Sequence, residues 1–460
     1  MSTDHSATPP GSSPAASGTR PRQSTTKVIK GAVLGTIVEY YDFGIYGYMA
    51  ALLSVQFFAS DDPTTALLET FAAFAVAFFL RIPGGIFFGH VGDKYGRRTA
   101  LTWTLLLMAG ATLLIGLLPT YATLGIWATM LLILCRCLQG LSAGGEVGGA
   151  NVFVSEHAPA RWRGFQTSLV MGGMYLGSLA ASLVALGISS LFTEQQALDW
   201  AWRLPFLLSA VIGVIGFYIR NSLHDSPEFT ALKEESAVAS LPIKTLVRTS
   251  WRTILHLVAL YGLSAGGFYT ASVYTATYLR TTAGFSPTVA FLSTSLALVL
   301  GILTLPIGGY LSDRFGRRPV LLTGSGAGLL LAIPMFQLMQ LGSVGLAMLA
   351  QSVCFICVSI FNSALFVTFS EKMPTRVRYT GVSLVTNIAN STMGGTAPFI
   401  ATFLVATTAN PLSPSWFYAA TALLSLVAAV FLKETRGIDL ATVGDDRART
   451  AAGSEKSSSC

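Results

Sequence analysis

The stretch Gly89-His90-Val91-Gly92-Asp93-Lys94-Tyr95-Gly96-Arg97-Arg98 is a charged, glycine-bearing turn between two long apolar runs. About half a chain later the same arrangement returns as Gly309-Tyr310-Leu311-Ser312-Asp313-Arg314-Phe315-Gly316-Arg317-Arg318. A second repeat relates Ser155-Glu156-His157-Ala158-Pro159-Ala160-Arg161-Trp162-Arg163 to Ser370-Glu371-Lys372-Met373-Pro374-Thr375-Arg376-Val377-Arg378. Because internal duplication outranks local signals in deciding architecture, the chain is predicted to consist of two copies of one unit.

The composition indicates a protein that crosses a membrane many times. The chain of 460 residues is 52% hydrophobic and 11% charged, with a mean hydropathy of +0.60, whereas soluble domains carry roughly 25% charged residues. The formal net charge of +7 comes from short clusters between apolar runs. That placement is typical of the positive-inside rule, so the lipid bilayer is an expected partner and nucleic acid is not.

The apolar runs predict an all-α integral membrane protein with twelve transmembrane helices in two pseudo-symmetric six-helix bundles, since one crossing needs about 20 apolar residues. The predicted spans are 31–58, 65–90, 99–118, 122–150, 165–190 and 201–220, then 253–279, 287–311, 319–339, 343–369, 380–407 and 414–432. The predicted domains are a disordered cytoplasmic tail (1–29), the N-terminal bundle (30–221), a cytoplasmic loop (222–251), the C-terminal bundle (252–433) and a second cytoplasmic tail (434–460).

Lysine and arginine set the predicted orientation. They are frequent in the loops after the even-numbered spans and almost absent after the odd-numbered ones, so both termini are expected in the cytoplasm. The first 26 residues lack the features of a signal peptide, and the first span is expected to direct insertion. The chain is expected to be a monomer in the cell's inner or plasma membrane.

The paired Gly-x-x-x-Asp-Lys/Arg-x-Gly-Arg-Arg turns resemble the signature of the major facilitator superfamily. Other stretches resemble its metabolite:proton symporter family, which includes carriers of 2-oxoglutarate, citrate, shikimate, and proline or betaine. They are Glu39-Tyr40-Tyr41-Asp42-Phe43, Arg81-Ile82-Pro83-Gly84-Gly85, Arg136-Cys137-Leu138-Gln139-Gly140 with Gly144-Gly145-Glu146, Ser226-Pro227-Glu228-Phe229, Arg378-Tyr379-Thr380-Gly381, and Asn387 ahead of Gly394-Gly395-Thr396-Ala397-Pro398. The resemblance implies a proton-coupled symporter that works by alternating access with no cofactor or metal.

The recurring aspartates suggest a gate. Asp93 and Asp313 can accept hydrogen bonds from arginines or from the N–H groups at a helix N-terminus. The resemblance implies that these turns hold the bundles together on the cytoplasmic side while the outer side is open. Alternatively, the charges at the turns only set topology. The predicted gating residues are Asp93, Arg97, Glu156, Arg163, Asp313, Arg317, Glu371 and Arg378.

Charges inside the apolar spans point to the transport pathway, because they are costly in a membrane. Asp42, Arg81 and Arg136 lie about 13 to 20 Å from a predicted helix end at about 1.5 Å per residue, near the midplane where secondary transporters place their sites. Alternatively, they form an internal ion-pair set that only fixes packing, and Arg81 in particular faces the other bundle. Residues on the same helical faces are Glu39, Gln139 and Glu146.

Asp42 is the predicted proton-carrying carboxylate, with Glu39 and Glu146 as alternatives. In the empty site Asp42 is expected to be ionised and paired with Arg136, so that protonation frees Arg136 for a substrate carboxylate. The C-terminal half has no comparable deep charge and is expected to supply neutral donors and aromatic walls, although such residues are often packing residues. The predicted substrate contacts are Arg136, Arg81, Gln139, Tyr41, Tyr274, Tyr278, Asn362 and Asn387.

The predicted function is import of a small organic acid or zwitterion together with protons, with carboxylates as the favoured substrate class. A proton-antiporting exporter is the alternative, but the fifth span reads Met171-Gly172-Gly173-Met174-Tyr175-Leu176-Gly177 without the proline typical of that class. A non-transporting membrane sensor is a further alternative. No nucleophile–base pair, metal-ligand cluster or nucleotide loop is visible in the sequence, so an enzyme is not expected. Cys354-x-x-Cys357 is interpreted as a pair of buried structural thiols.

Overall fold

The computed structural model of the chain describes residues 25–95, 97–144, 146–221, 242–440 and 443. Most of both predicted tails and of the predicted loop lies outside these residues. In the N-terminal half the helices are α1 (Thr25–Tyr48), α2 (Ala50–Phe57), α3 (Pro63–Tyr95), α4 (Arg97–Leu117), α5 (Tyr121–Leu124), α6 (Ile126–Ser142), α7 (Glu146–His157), α8 (Arg163–Leu191), α9 (Glu194–Asp199) and α10 (Leu204–Asn221), with single 3₁₀ turns at Ala160–Trp162 and Ala201–Arg203.

The C-terminal half repeats this pattern with more irregular helices. Its elements are α11 (Pro242–Leu260), π-helical segments Leu263–Gly267 and Thr270–Tyr274, α12 (Thr275–Thr281), α13 (Pro287–Phe315), α14 (Arg317–Met339), α15 (Val344–Lys372), a 3₁₀ turn (Thr375–Val377), α16 (Arg378–Ala389), a third π-helical segment (Asn390–Gly394), α17 (Ala397–Thr408) and α18 (Ser413–Val430). Every regular element among the described residues is helical.

Each predicted span overlaps a helix or a run of consecutive helices. Seven of the described helical segments are long and apolar enough to cross a bilayer: Pro63–Phe88, Ala160–Leu191, Ser250–Thr281, Pro287–Phe315, Arg317–Met339, Val344–Lys372 and Ser413–Val430. The remaining spans are shorter or interrupted; the predicted span 122–150, for example, is divided among α5, α6 and α7. The count of twelve crossings therefore stays a prediction. The helices also extend into predicted non-helical regions, because α1 begins at Thr25 and α11 at Pro242.

The outer surface is apolar. Trp127, Leu191 and Leu330 are 69%, 79% and 77% exposed. A soluble protein rarely exposes large contiguous apolar patches, so this surface suits lipid. The charged residues described below lie inside the molecule instead.

The repeated turn adopts a backbone that only glycine readily takes. Gly316 separates α13 from α14 with φ of +107°, and a Cβ there would run into the carboxylate of Glu434. A side chain at this position would therefore be strained and crowded, so the turn requires glycine here. Gly96, at the equivalent place in the first copy, lies outside the described residues.

The two halves contact each other at several depths. At the end of the molecule that carries the Gly316 turn, called the turn end below, α8 meets α13 through Asp313. In the middle, the Asn362 amide of α15 donates to the Tyr175 hydroxyl of α8 over 2.9 Å. At the opposite end the hydroxyls of Ser182 and Ser295 lie 2.9 Å apart. The packed interface between the halves thus runs the full length of α8 and α13.

Two of the three π-helical segments contact the N-terminal half: Thr270–Tyr274 packs against α1 and Asn390–Gly394 against α3. Leu263–Gly267 packs against Asn390–Gly394, which in turn packs against α3. Local π-helix often marks functional positions, because the extra residue frees a carbonyl and redirects a side chain. Within the segment Thr270–Tyr274, the Ala271 carbonyl accepts a 3.0 Å hydrogen bond from the Gln351 amide. The irregular helices of the C-terminal half therefore supply the surface opposite the charged residues of the N-terminal half.

Candidate functional site

Four charged side chains are buried together in the N-terminal half. Glu39 and Asp42 lie on α1, Arg81 on α3 and Arg136 on α6. None of them is more than 2% exposed. The sequence prediction that these residues lie inside the molecule is confirmed.

Glycines bring the two arginines close to each other. A Cβ added at Gly140 of α6 would overlap the Ala77 backbone of α3, and one added at Gly84 of α3 would overlap the Leu141 backbone of α6. Small residues at a helix crossing allow the backbones to approach closely. Arg81 and Arg136, on either side of this crossing, both lie over the ring of Phe43, with guanidinium carbon to centroid distances of 4.0 and 5.2 Å.

Arg81 is paired with Glu39. Its Nη1 lies 3.0 Å from Oε1 of Glu39, and both side chains are at most 2% exposed. The Nε and Nη2 groups of Arg81 find no hydrogen-bond acceptor among the described residues. Arg81 thus forms an ion pair inside the bundle and still has N–H groups without an acceptor among the described residues. A packing role and a substrate-binding role, the two interpretations from sequence, are therefore compatible.

Arg136 does not pair with Asp42, and that prediction is wrong. Its Nη1 donates instead to Oε1 of Gln139 over 2.7 Å, and the Gln139 amide donates to the Thr112 hydroxyl over 2.7 Å. The guanidinium carbon lies 4.0 Å from the ring centroid of Tyr46. Gln139, one helical turn away, and the aromatic face of Tyr46 take the positions expected for the carboxylate. The Nε and Nη2 groups of Arg136 have no acceptor among the described residues.

Asp42 lies near these groups, but its carboxylate forms no hydrogen bond with any of them. Thr112, Arg136 and Glu39 are close enough to influence the electrostatic environment of the Asp42 carboxylate. Neither carboxylate oxygen accepts a hydrogen bond within the described part of the chain. The nearby Thr112 hydroxyl donates to the Met108 carbonyl over 2.9 Å. A buried carboxylate without donors is costly when charged, because burial disfavours the ionised form.

The C-terminal half meets this cluster through Tyr269, which the sequence analysis did not single out. The Tyr269 ring lies 5.8 Å from that of Phe74 and 5.2 Å from that of Phe78. Its charge environment includes Arg81, Glu39 and Arg136, and its hydroxyl has no hydrogen-bond partner among described residues. An aromatic residue in an apolar helix carries no sequence signal for such a role.

Two of the predicted C-terminal contacts lie at the interface between the halves. The Asn387 amide donates to the Gly144 carbonyl over 2.5 Å, and Asn362 bonds Tyr175 as described above. The Ser391 hydroxyl, which sequence analysis missed, donates to the Phe78 carbonyl over 2.5 Å. These polar contacts join α15, α16 and the third π-helical segment to the N-terminal half.

The three predicted tyrosine contacts bond backbone carbonyls instead. The hydroxyl of Tyr41 donates to Pro205 over 2.8 Å, that of Tyr274 to Ala401 over 3.5 Å and that of Tyr278 to Pro411 over 2.9 Å. Such bonds favour the packing interpretation for Tyr41, Tyr274 and Tyr278, and their part in substrate binding stays a prediction. The side chains of Glu146, Asp93 and Arg97 lie outside the described part of the structure, so their predicted roles stay predictions too. Cys354 and Cys357 are buried free thiols.

At the turn end, an ionic network joins the two halves. The Asp313 carboxylate accepts hydrogen bonds from the backbone N–H groups of Gly164 and Phe165, both over 2.9 Å. Arg163 of α8 reaches Glu371 of α15 at 3.2 Å, and Glu371 also accepts from Arg317.

The second repeat contributes a further bridge to this network. Arg378 of α16 lies 2.7 Å from Glu156 of α7. The Asp313 carboxylate described above binds N–H groups at the start of α8 that have no partner within that helix. The contact between Asp313 and α8 therefore combines hydrogen bonding with a favourable interaction with the helix dipole. Five described members of the predicted gating set therefore bridge the halves, namely Glu156, Arg163, Asp313, Glu371 and Arg378. Arg317 pairs with Asp313 and Glu371 of its own half.

The segment after α18 reinforces this network. The carbonyls of Ile438 and Leu440 accept hydrogen bonds from Arg163 over 3.1 Å and from Arg378 over 2.8 Å. The Glu434 carboxylate accepts from four backbone N–H groups, including those of Arg317 at 2.9 Å and Arg318 at 3.0 Å. Burial raises the pKa of Glu434, but these four hydrogen bonds outweigh it and hold the pKa below its ordinary value of 4.5.

Comparisons with known proteins agree with this architecture. The proline/betaine transporter of Escherichia coli (strain K12) is 35% identical over 419 residues, which cover 89% of this chain and 83% of that protein. The glycine betaine/proline/ectoine/pipecolic acid transporter of Dickeya dadantii has the same identity and coverage. The ectoine/proline transporter of Corynebacterium glutamicum is 35% identical over 429 residues, covering 90% of this chain and 85% of its own.

Solved structures share the fold at low sequence identity. The proton:xylose symporter of the major facilitator superfamily bound to 6-bromo-6-deoxy-D-glucose superposes with a TM-score of 0.71 at 18% identity, covering 91% of this chain and 98% of that one. A partially occluded inward-open conformation of the Escherichia coli xylose transporter gives a TM-score of 0.69, also at 18% identity, with 91% and 100% coverage. Residues 32–398 match the Major Facilitator Superfamily. The chain is therefore a multi-pass membrane transporter that belongs to the major facilitator superfamily.

Proposed function

We propose that this transporter is a proton-coupled symporter that brings a small organic acid or zwitterion into the cell by alternating access. It lies in the inner membrane with both termini in the cytoplasm. The observation that carries the proposal is the buried set of two carboxylates and two guanidiniums, Glu39, Asp42, Arg81 and Arg136, beside the interface of the halves. A charged side chain at the centre of a membrane costs about 2.5–3.5 kcal/mol on insertion scales, so such groups are functional more often than structural.

The arginines supply the anion site in this proposal. Arg81 and Arg136 each keep Nε and Nη2 without acceptors among the described residues. Those two groups lie on one edge of a guanidinium and match the two oxygens of a carboxylate. Both guanidiniums also lie over the Phe43 ring, so a carboxylate placed beside that ring is within reach of both cations and relieves their mutual repulsion.

Asp42 supplies the proton site. While it is ionised, the two carboxylates balance the two guanidiniums. Protonation of Asp42 leaves one positive charge in excess, which favours entry of a carboxylate. Proton and anion then each improve the binding of the other, with a coupling free energy of typically 1–3 kcal/mol that must be reciprocal. Coupling therefore does not need the direct Arg136–Asp42 pair that the sequence suggested.

The gating network completes the cycle. Asp313, Glu371 and Arg378 hold the halves together at the turn end, and their release opens a path from the site to the cytoplasm. Each hydrogen bond to a charged group contributes about 1.5–3 kcal/mol, a free energy small enough for the bond to be made and broken in each cycle.

The names of the relatives guide the choice of substrate. Proline, betaine and ectoine are zwitterions that pair a carboxylate with a positive nitrogen, and we take that class as the first to test. Symport of a zwitterion with one proton moves one positive charge inward, whereas symport of a monoanion with one proton moves none. Counterflow of labelled glycine betaine, proline and 2-oxoglutarate in proteoliposomes tests transport, and its absence for all three would favour a sensor.

The direction of coupling is tested in the same vesicles. Accumulation when the outside is acidic supports symport, whereas accumulation when the inside is acidic supports the proton-antiporting exporter. An imposed inside-negative potential should increase uptake of glycine betaine and proline. It should reduce one-proton uptake of 2-oxoglutarate, whose two negative charges are only half balanced by the proton.

A further inference from the structure

Five aromatic rings form a continuous cluster at the charged site. We call the cluster of Phe43, Tyr46, Phe74, Phe78 and Tyr269 the aromatic box. Phe78 lies 5.0 Å from both Phe43 and Phe74, while Tyr269 lies 5.2 Å from Phe78, measured between ring centroids. Tyr46 stacks on Phe74 at 6.0 Å. Four of the rings come from α1 and α3, and the fifth comes from the opposing half.

The arginines already use this box as a cation site. The guanidinium carbon of Arg81 lies 4.0 Å from the centroid of Phe43 and 4.4 Å from that of Phe78. The guanidinium carbon of Arg136 lies 4.0 Å from Tyr46 and 5.2 Å from Phe74. All four distances are within the roughly 6 Å over which a ring face attracts a cation. The box is therefore built to stabilise positive charge away from water.

We propose that the aromatic box binds the substituted ammonium group of a zwitterionic substrate, a quaternary or ring ammonium, while Arg81 and Arg136 hold its carboxylate. The inference rests on the proposed function and names the chemistry that selects its substrate. The N–H edges of the two guanidiniums find no acceptor among the described residues. As these edges turn toward the substrate carboxylate, the guanidiniums move off the ring faces. The substrate's own cation then takes their place, so positive charge remains on the rings throughout.

The alternative partner for an ammonium group is a carboxylate, and the site argues against it. Glu39 is engaged by Arg81 at 3.0 Å. Asp42 is the proton carrier in the proposed function, and an ammonium bound to ionised Asp42 would oppose its protonation. A ring face attracts the cation without a titratable group. Recognition of the ammonium by the box therefore leaves Asp42 available for the proton.

The test compares glycine betaine with 3,3-dimethylbutanoate, which has the same shape and carboxylate but a carbon atom in place of the positive nitrogen. A plain apolar pocket binds the more hydrophobic isostere at least as well, whereas ring faces favour the cation. We expect purified wild-type protein to bind glycine betaine at least about tenfold more tightly in a calorimetric or competition assay. Equal affinities would overturn the inference by themselves, without any variant.

Variants show which side chains are responsible for the preference for glycine betaine over its isostere. Phe74→Leu should lower glycine betaine affinity about tenfold and leave that of the isostere within about threefold, whereas Tyr269→Phe, which keeps the ring, should retain the preference. Phe336→Leu makes the same change beside Tyr278 in the C-terminal half, outside the box, and should have no effect on the ratio. If the preference survives Phe74→Leu but disappears in Asp42→Asn, a carboxylate holds the ammonium and the inference is wrong.

Different results would exclude cation selection by the aromatic box and carboxylate transport by the protein. If glycine betaine and its isostere exchange equally well in proteoliposomes, the box does not select the cation, but carboxylate transport stands. If glycine betaine, proline, 2-oxoglutarate and the isostere all fail to bind and to exchange, the proposed function fails.

Discussion

The Asp313 carboxylate of the C-terminal half accepts a 2.9 Å hydrogen bond from the backbone N–H of Gly164 in the N-terminal half. Its other oxygen accepts from the next residue, so one side chain caps the first turn of α8 across the interface. Charge-assisted bonds to free N–H groups at a helix start combine two favourable interactions. This contact links the repeated turn directly to the junction of the halves.

Removing the charge of Asp313 should therefore weaken the closed turn end. Asp313→Asn is expected to reduce transport several-fold while leaving membrane insertion and substrate affinity nearly unchanged, since hydrogen bonds to a charged group contribute about 1.5–3 kcal/mol. Initial uptake rates and equilibrium binding on the same preparation check this. Asp61→Asn, an exposed aspartate at the opposite end, is the control. Wild-type uptake rates in Asp313→Asn would argue against a gating role.

The anion site is tested at Arg136. Arg136→Ala should weaken binding of a carboxylate substrate by more than about tenfold, and Arg136→Lys should restore only part of it, because an ammonium cannot present a guanidinium edge. Isothermal titration of the ligand found in counterflow experiments measures both. Arg252→Ala, an exposed position on α11, controls for loss of charge. Unchanged affinity in Arg136→Ala would leave Arg136 as a packing residue.

Sequence reasoning predicted the parts of this protein that depend on chain length and repetition. The helices follow the apolar runs, and the aspartate in the repeated turn foretold the contact between Asp313 and a helix N-terminus. Sequence reasoning failed where the rotation of a helix about its own axis decides which neighbours a side chain contacts. Depth from a helix end places Asp42 and Arg136 at similar heights but does not show that Arg136 turns toward Gln139 and Tyr46. Likewise, no pattern separates Tyr269 at the site from Tyr274, which bonds a carbonyl.

The close crossing of α3 and α6 gives a prediction about stability. Gly140→Ala places a Cβ against the Ala77 backbone, which cannot move aside as a flexible side chain would. It should destabilise the protein by at least about 1–3 kcal/mol, the typical cost of overpacking, and displace Arg136. Thermal unfolding in detergent reports the loss. Gly110→Ala has nothing within 4 Å of the new Cβ and should be neutral or slightly stabilising. Equal melting temperatures for the two variants would contradict the packing argument.

Glu434 predicts a pH dependence of stability at the turn end. Because its pKa is lower in the folded protein than the ordinary 4.5, its stabilising contribution is present above about that pH and is lost as the pH falls through the lower folded value. Glu434→Gln should therefore lower the melting temperature at neutral pH, and the difference from wild type should shrink in acid. Glu69→Gln, an exposed glutamate on α3, should show no such trend. A difference that is constant with pH would mean that the charge of Glu434 does not matter.

In the proposed mechanism Asp42 carries the coupled proton, and the decisive experiment is uptake driven by a pH gradient in vesicles that contain Asp42→Asn. The variant should bind substrate with weaker pH dependence and exchange labelled for unlabelled substrate, because neither step requires net proton movement. It should fail to accumulate substrate when the outside is made acidic, while wild-type vesicles accumulate it. Accumulation at the wild-type level by Asp42→Asn would contradict the account and move the proton site to another residue.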